Sequence, residues 1–239
     1  MSFKIMYYFT IACPTVERTL EMIDRYVEHG VDSVQIDMPS RDPYGETDFV
    51  KAMMSQGLHV GYDTYMDAIR EVRRKHPDIE ISIVVYEDVI DSIGREAFAD
   101  FLAEIKSSNN IICDLPEYHD ILDQRGISYI TMITYNDPEY DIEENLRYGE
   151  DHIAVMRTKR KTDALNRRYD TWKKRVKLAK DMGLKCKIFA IAEINNAKDL
   201  AERKNAGMDG ALIGNVLMQL WDDEDALWKK LDEFQAFVE

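Results

Sequence analysis

Apolar residues fall in short runs, and segments whose apolar positions recur three and four apart separate them. Residues 6–12 are apolar, β-branched and aromatic, and read as a first strand. Pro14 and Thr15 open a helix with Thr15 as its N-cap. Val16, Leu20, Ile23 and Val27 keep helical spacing, and Gly30 stops it. Residues 33–37 read as the second strand. Two helical segments follow, 48–58 and 64–76, and then a third strand at 79–86, apolar on both faces near its end as a covered parallel strand should be. The alternation continues: helix 94–108 and strand 110–116, helix 117–126 and strand 127–134, helix 140–150 and strand 152–158. A polar loop, 159–168, leads to helix 169–183 and strand 185–191. Helix 196–207 and strand 210–215 come next, and a short helical turn and an amphipathic helix, 225–238, close the chain.

Strict alternation requires helical crossovers and therefore a parallel sheet. Eight such units in 239 residues predict an α/β fold, a (β/α)8 TIM barrel, as one domain over 1–239. An open doubly wound sheet is the alternative, but no GxGxxG follows the first strand. No Gly-, Pro- or Ser-rich linker interrupts the pattern.

Composition narrows the function classes. The net charge of −14, from 45 acidic and 31 basic residues, argues against nucleic-acid binding and against adhesion to anionic membranes. No stretch approaches the roughly 18 apolar residues of a membrane span, and the N-terminus reads as a strand, not a signal peptide. Cys13, Cys113 and Cys186 are widely spaced and odd in number, which fits a reduced cytoplasm and small buried thiols. No spacing of Cys and His suggests a metal, and no cofactor is expected.

A barrel puts its ligand at the C-terminal ends of its strands. Those positions hold Tyr8 and Thr10, Gln35 and Asp37, Tyr86 and Glu87, Asp114, Thr134, Arg157, Glu193, and Gly214 with Asn215. Carboxylates dominate, and basic groups gather after the sixth strand as Arg157, Lys159, Arg160 and Lys161. The stretch 33–46, SVQIDMPSRDPYGE, is central. A strand ends there in a polar loop stiffened by Pro39 and Pro43.

Five segments resemble one family in order and at matching spacing: YFTIACPTVERTLEMID, VDSVQIDMPSRDPYGE, RKHPDIEISIVVYEDVI, NNIICDLP and AGMDGALIGNVLM. The chain is similar to the α subunit of tryptophan synthase. The resemblance implies retro-aldol cleavage of indole-3-glycerol phosphate, a small-molecule substrate and a possible β-type partner subunit. It puts Gln35 at the family's general acid/base Glu, Glu46 at the Asp that polarises the indole N–H, and Tyr86 at the third-strand Tyr. Gln cannot exchange a proton near neutral pH, and losing a positioned acid/base costs about 10²–10⁴-fold. Tyr8, Asp114, Arg157, Glu193, Gly214 and Asn215 fall at substrate-facing positions. The glycine-rich phosphate turns are altered, with Glu193 in the seventh. Pro39 and Asp42 lie in the loop that faces the partner in that family. Three readings stay open: an enzyme of this type with a weakened or changed reaction, a barrel enzyme with other chemistry built on Glu46, Glu193 and Tyr86, and a non-catalytic homologue that binds a ligand or partner.

Overall fold

A computed structural model describes residues 3–113, 115, 117–159, 163–164, 166–191 and 193–238. Asp114, Arg160, Lys161 and Ala192 lie outside the described residues. Strand and helix alternate as the apolar pattern expects. The strands are β1 (Lys4–Thr10), β2 (Ser33–Asp37), β3 (Glu80–Tyr86), β4 (Ile111–Cys113), β5 (Ile130–Ile133), β6 (Ile153–Arg157), β7 (Lys187–Ile191) and β8 (Gly210–Ile213). The helices are α1 (Val16–Glu28), α2 (Asp48–Gly57), α3 (Tyr62–Lys75), α4 (Glu87–Ile93), α5 (Arg95–Glu104), α6 (Tyr118–Gln124), α7 (Pro138–Asn145), α8 (Trp172–Asp181), α9 (Ala197–Ala206) and α10 (Glu224–Gln235). The strand order is β4-β3-β2-β1-β8-β7-β6-β5, and the resolved pairings are parallel. This is the (β/α)8 arrangement that the sequence predicts.

Boundaries differ from the sequence reading in physical detail. β1 begins two residues earlier, because Lys4 N–H already donates to Asp209 O at 3.0 Å. Thr15 caps α1 as expected, its Oγ1 accepting from Arg18 N at 3.1 Å. Helix α4 was not expected. It follows β3 without a loop and buries only Val89 and Ile90.

The chain divides into two compact units, Tyr7–Tyr129 and Met1–Met6 with Ile130–Glu239. In the first, β1, β2 and β3 set side chains in rows by their register. Tyr8 pairs with Gln35 and Gln35 with Ser82; one step on, Thr10 pairs with Asp37 and Asp37 with Val84. Side chains two apart on a strand share a face, so Gln35 and Asp37 point the same way. In the second unit, Gly210 opens β8 where only hydrogen fits: a Cβ there would lie 2.5 Å from Phe189 Cζ and 2.6 Å from Lys4 O. Ile188 N donates to Asp209 Oδ2 at 2.8 Å and ties β7 to the entry of β8.

Candidate active site

The unit Tyr7–Tyr129 carries Tyr8, Thr10, Gln35, Asp37 and Tyr86 at the ends of β1, β2 and β3, with Glu46 in the loop after β2. Gln35 is 3 % exposed, and its Nε2 donates to Ser82 Oγ at 3.4 Å, while Ser82 donates to Asn109 O at 2.7 Å. The Gln35 side chain is thus engaged in a buried lateral bond. One row further, Asp37 is fully buried. Its Oδ2 accepts from Tyr8 OH at 2.6 Å, and Tyr8 OH accepts from Thr10 Oγ1 at 3.1 Å. Its Oδ1 has no hydrogen-bond partner. Burial and then the neighbouring Glu46 hold the Asp37 carboxyl well above the usual carboxylate range, and the Tyr8 bond and the Met38 backbone N–H offset only part of this. Tyr8 itself is held above the usual phenol range by burial and by Asp37 and Glu46.

Glu46 is half-buried, and its Oε1 accepts from Tyr86 OH at 3.1 Å. Burial raises its carboxyl, against the Tyr86 bond and Lys51, which lower it. Tyr86 packs with Val50 and Met54 of α2, with Tyr8, Phe49 and Cys113 around them, and meets Tyr44 edge-on at 5.3 Å. The result is two carboxyls and two phenols over an apolar floor. A buried carboxyl with a raised pKa holds its proton to higher pH, which suits it to donate and recover a proton near neutrality. Asp37 is among the strand-end positions read from the sequence, but the resemblance gave it no role. It stands two residues after Gln35, and the period of two on β2 is the signal that finds it.

The loop after β2 is braced from outside itself. Asp88, at the start of α4, accepts from Ser40 Oγ at 2.7 Å and from Arg41 N at 2.9 Å, and Ser40 Oγ accepts from Asp42 N at 3.0 Å. Pro39 is buried, while Asp42 and Tyr44 are exposed. Cys13 is buried, donates to Met53 O at 2.8 Å, and its thiol is pushed up to about 12 by burial and by Asp37. That protonated thiol is no nucleophile.

The other unit carries Arg157, Glu193, Gly214 and Asn215. Arg157 ends β6, and its carbonyl accepts from Arg175 Nη1 at 2.5 Å. Glu193 is exposed, adopts φ 54°, and its carbonyl accepts from Arg203 Nη2 at 3.4 Å. Arg175 and Arg203 are 2 % and 4 % exposed, and their guanidiniums lie 4.3 and 4.5 Å from the Trp172 ring centroid. Burial pulls Arg175 down to about 10. Two arginines stacked on one indole therefore hold the carbonyls of Arg157, at the end of β6, and of Glu193, after β7. Gly214 is exposed, with open space where a Cβ would go, and Asn215 accepts at its carbonyl from Gln219 N at 3.0 Å. Asp114 lies outside the described residues. Among those described, no group of three or more His, Cys, Asp or Glu is placed to hold a metal, and no helix is long and apolar enough to cross a membrane.

Comparison with known proteins gives the geometry a family. The family model described as tryptophan synthase alpha chain matches residues 3–239. The tryptophan synthase alpha chain of Haemophilus influenzae is 23 % identical over 239 residues, covering 95 % of this chain and 89 % of that one. A Flavobacterium johnsoniae tryptophan synthase alpha chain is 30 % identical over 135 residues, covering 53 % of each. The fold is also that of the tryptophan synthase subunit alpha of Legionella pneumophila, with a TM-score of 0.82 at 16 % identity over 99 % of this chain and 92 % of that one. A tryptophan synthase complex from Pyrococcus furiosus gives a TM-score of 0.77 at 16 % identity, covering 97 % of both chains.

Proposed function

The chain belongs to the tryptophan synthase alpha chain family, and from that premise we propose that it is a carbon–carbon lyase of that type whose acid–base work has moved from position 35 to Asp37. A retro-aldol cleavage needs a base to take the hydroxyl proton as the carbonyl forms, and an acid to protonate the carbon that is released. Gln35 can do neither, and its amide is occupied by Ser82. Asp37 can do both in turn, with Tyr8 orienting it. Glu46, carried on the stiff loop and fixed by Tyr86, is the acceptor for a ring N–H. The observation that carries this reading is the buried Asp37 carboxyl with one free oxygen, one residue pair along β2 from Gln35. A carboxyl displaced by a strand step is misplaced for the family's own substrate, and an ångström-scale misplacement costs on the order of 10²-fold. The turn bearing Glu193 adds a charge that opposes phosphate.

Indole release from indole-3-glycerol phosphate by the purified protein tests this. The expected turnover is slow, about 10²–10⁴-fold below a family member that keeps the glutamate, and Asp37→Asn lowers it by at least about 10²-fold more. Gln35→Glu raises it. Unchanged release in Asp37→Asn overturns the assignment. A β-type partner subunit is part of the same proposal. The Pyrococcus furiosus structure is of a complex, and the loop of Pro39 and Asp42 exposes Asp42 and Tyr44 here. Co-elution with a β chain, lost in Asp42→Lys, is its check.

A further inference from the structure

We infer that the Asp37 cluster takes a ligand bearing a positive charge on an apolar body, a protonated amine, in preference to a neutral or anionic compound of the same shape. This rests on the reading that Asp37 faces the ligand. Asp37 is fully buried, and only one of its two oxygens is hydrogen-bonded. An unmatched carboxylate oxygen at such a site is costly unless a proton or a cation meets it. Among the described residues, the groups around it do not supply that cation. β1 presents Tyr8 and Thr10, the segment after it Cys13, β3 Tyr86, and the loop Glu46. The charged neighbour acting on Asp37 is Glu46, a second carboxyl, whereas Lys51 of α2 acts on Glu46. Two phenols and a carboxyl cannot neutralise Asp37, so the pair keeps a proton or exchanges it for a ligand's positive charge. The aromatic surface open to such a ligand is Tyr44, which is exposed and stands edge-on to Tyr86 over the buried Val50 and Met54. Tyr faces attract cations further.

Three probes on one indole body separate the outcomes: tryptamine, which carries an ammonium, tryptophol, which is neutral, and indole-3-propanoate, which is an anion. By titration calorimetry at neutral pH, tryptamine is expected to bind about tenfold or more tighter than tryptophol, with the anion weakest. Its binding heat is expected to change with the ionisation heat of the buffer, because the carboxyl pair gives up its proton. Asp37→Asn and Glu46→Gln, each checked for a native circular dichroism spectrum, are expected to reduce the preference to about threefold or less. Equal affinity for tryptamine and tryptophol in the unmodified protein, or a preference that survives both substitutions, overturns the inference. Loss of the amine preference alone, with indole release still sensitive to Asp37→Asn, sinks this inference and leaves the lyase proposal standing. Insensitivity of both to Asp37→Asn sinks the two together.

Discussion

Buried Asp37 sets up a stability effect with a definite sign. In the unfolded chain its carboxyl titrates near the ordinary 3.8, and burial with Glu46 beside it raises the folded value. Glu46 is raised from 4.5 in the same direction. Folded protein then holds protons that unfolded protein has released, so the contribution to stability is complete below the unfolded pKa and is lost as pH rises through the folded one. Asp24 works oppositely: Lys75 and His76 hold its carboxyl down against its own burial, but that contribution is common to wild type and variant. Urea midpoints should therefore show Asp37→Asn gaining on wild type between about pH 5 and 8, by about 1–3 kcal/mol at the upper end. A variant-minus-wild-type difference that stays constant or falls as pH rises would show that Asp37 is not held protonated. The residue was within reach of the sequence, since it shares a face with Gln35 on a five-residue strand. Matching the chain to the family's motif drew attention to positions 35 and 46 instead. What no sequence pattern could supply is the count of hydrogen bonds on each carboxyl oxygen, because Tyr8 arrives from another strand, 29 residues away.

Among the elements, legibility followed apolar content and length. All eight strands were readable because parallel strands covered on both faces are nearly continuous apolar runs. Helix α4 was not, since seven residues with two buried side chains give no helical period to detect. Yet α4 carries Asp88, which braces the loop after β2 at Ser40 and Arg41, so the piece that fixes the start of that loop was the least visible one. The arginine stack was equally hidden. Arg175 and Arg203 lie on different helices, and only the fold brings both to Trp172. With the ring 8 % exposed and flanked by two guanidiniums, Trp172→Ala should cost about 3–5 kcal/mol, and Trp172→Phe clearly less. Chemical denaturation at fixed pH measures both. Gly210→Ala belongs to the same scale. Its new methyl would meet a backbone carbonyl and a packed ring inside 3 Å, a clash that neither neighbour can relieve by a rotamer change. A loss of about 1–3 kcal/mol is expected, with β8 and the turn at Gly214 disturbed with it.

At the scale of the whole chain the open matter is cooperativity. The apolar pattern reads as one domain over 1–239, whereas the fold has two compact units, with the boundary falling inside β1 between Met6 and Tyr7. A strand cannot lose its order at one residue and keep it at the next without giving up the ladder bonds on either side, so a boundary inside a strand favours unfolding as one unit. Chain length pulls the other way, because chains beyond about 100–150 residues commonly populate intermediates. The tryptophans separate the two outcomes. All three, Trp172, Trp221 and Trp228, lie in the unit that contains Ile130–Glu239. Their fluorescence reports that unit alone, whereas far-ultraviolet circular dichroism reports helices and strands of both. If β1 makes the chain a single domain, urea curves from the two probes coincide in midpoint and slope. If Tyr7–Tyr129 opens separately, the dichroism curve broadens or splits while the fluorescence curve stays sharp. Asp37→Asn, placed in the unit without tryptophan, then makes the comparison decisive: a variant that shifts the fluorescence midpoint by the same amount as the dichroism midpoint shows the stability of the Asp37 cluster reaching the other unit.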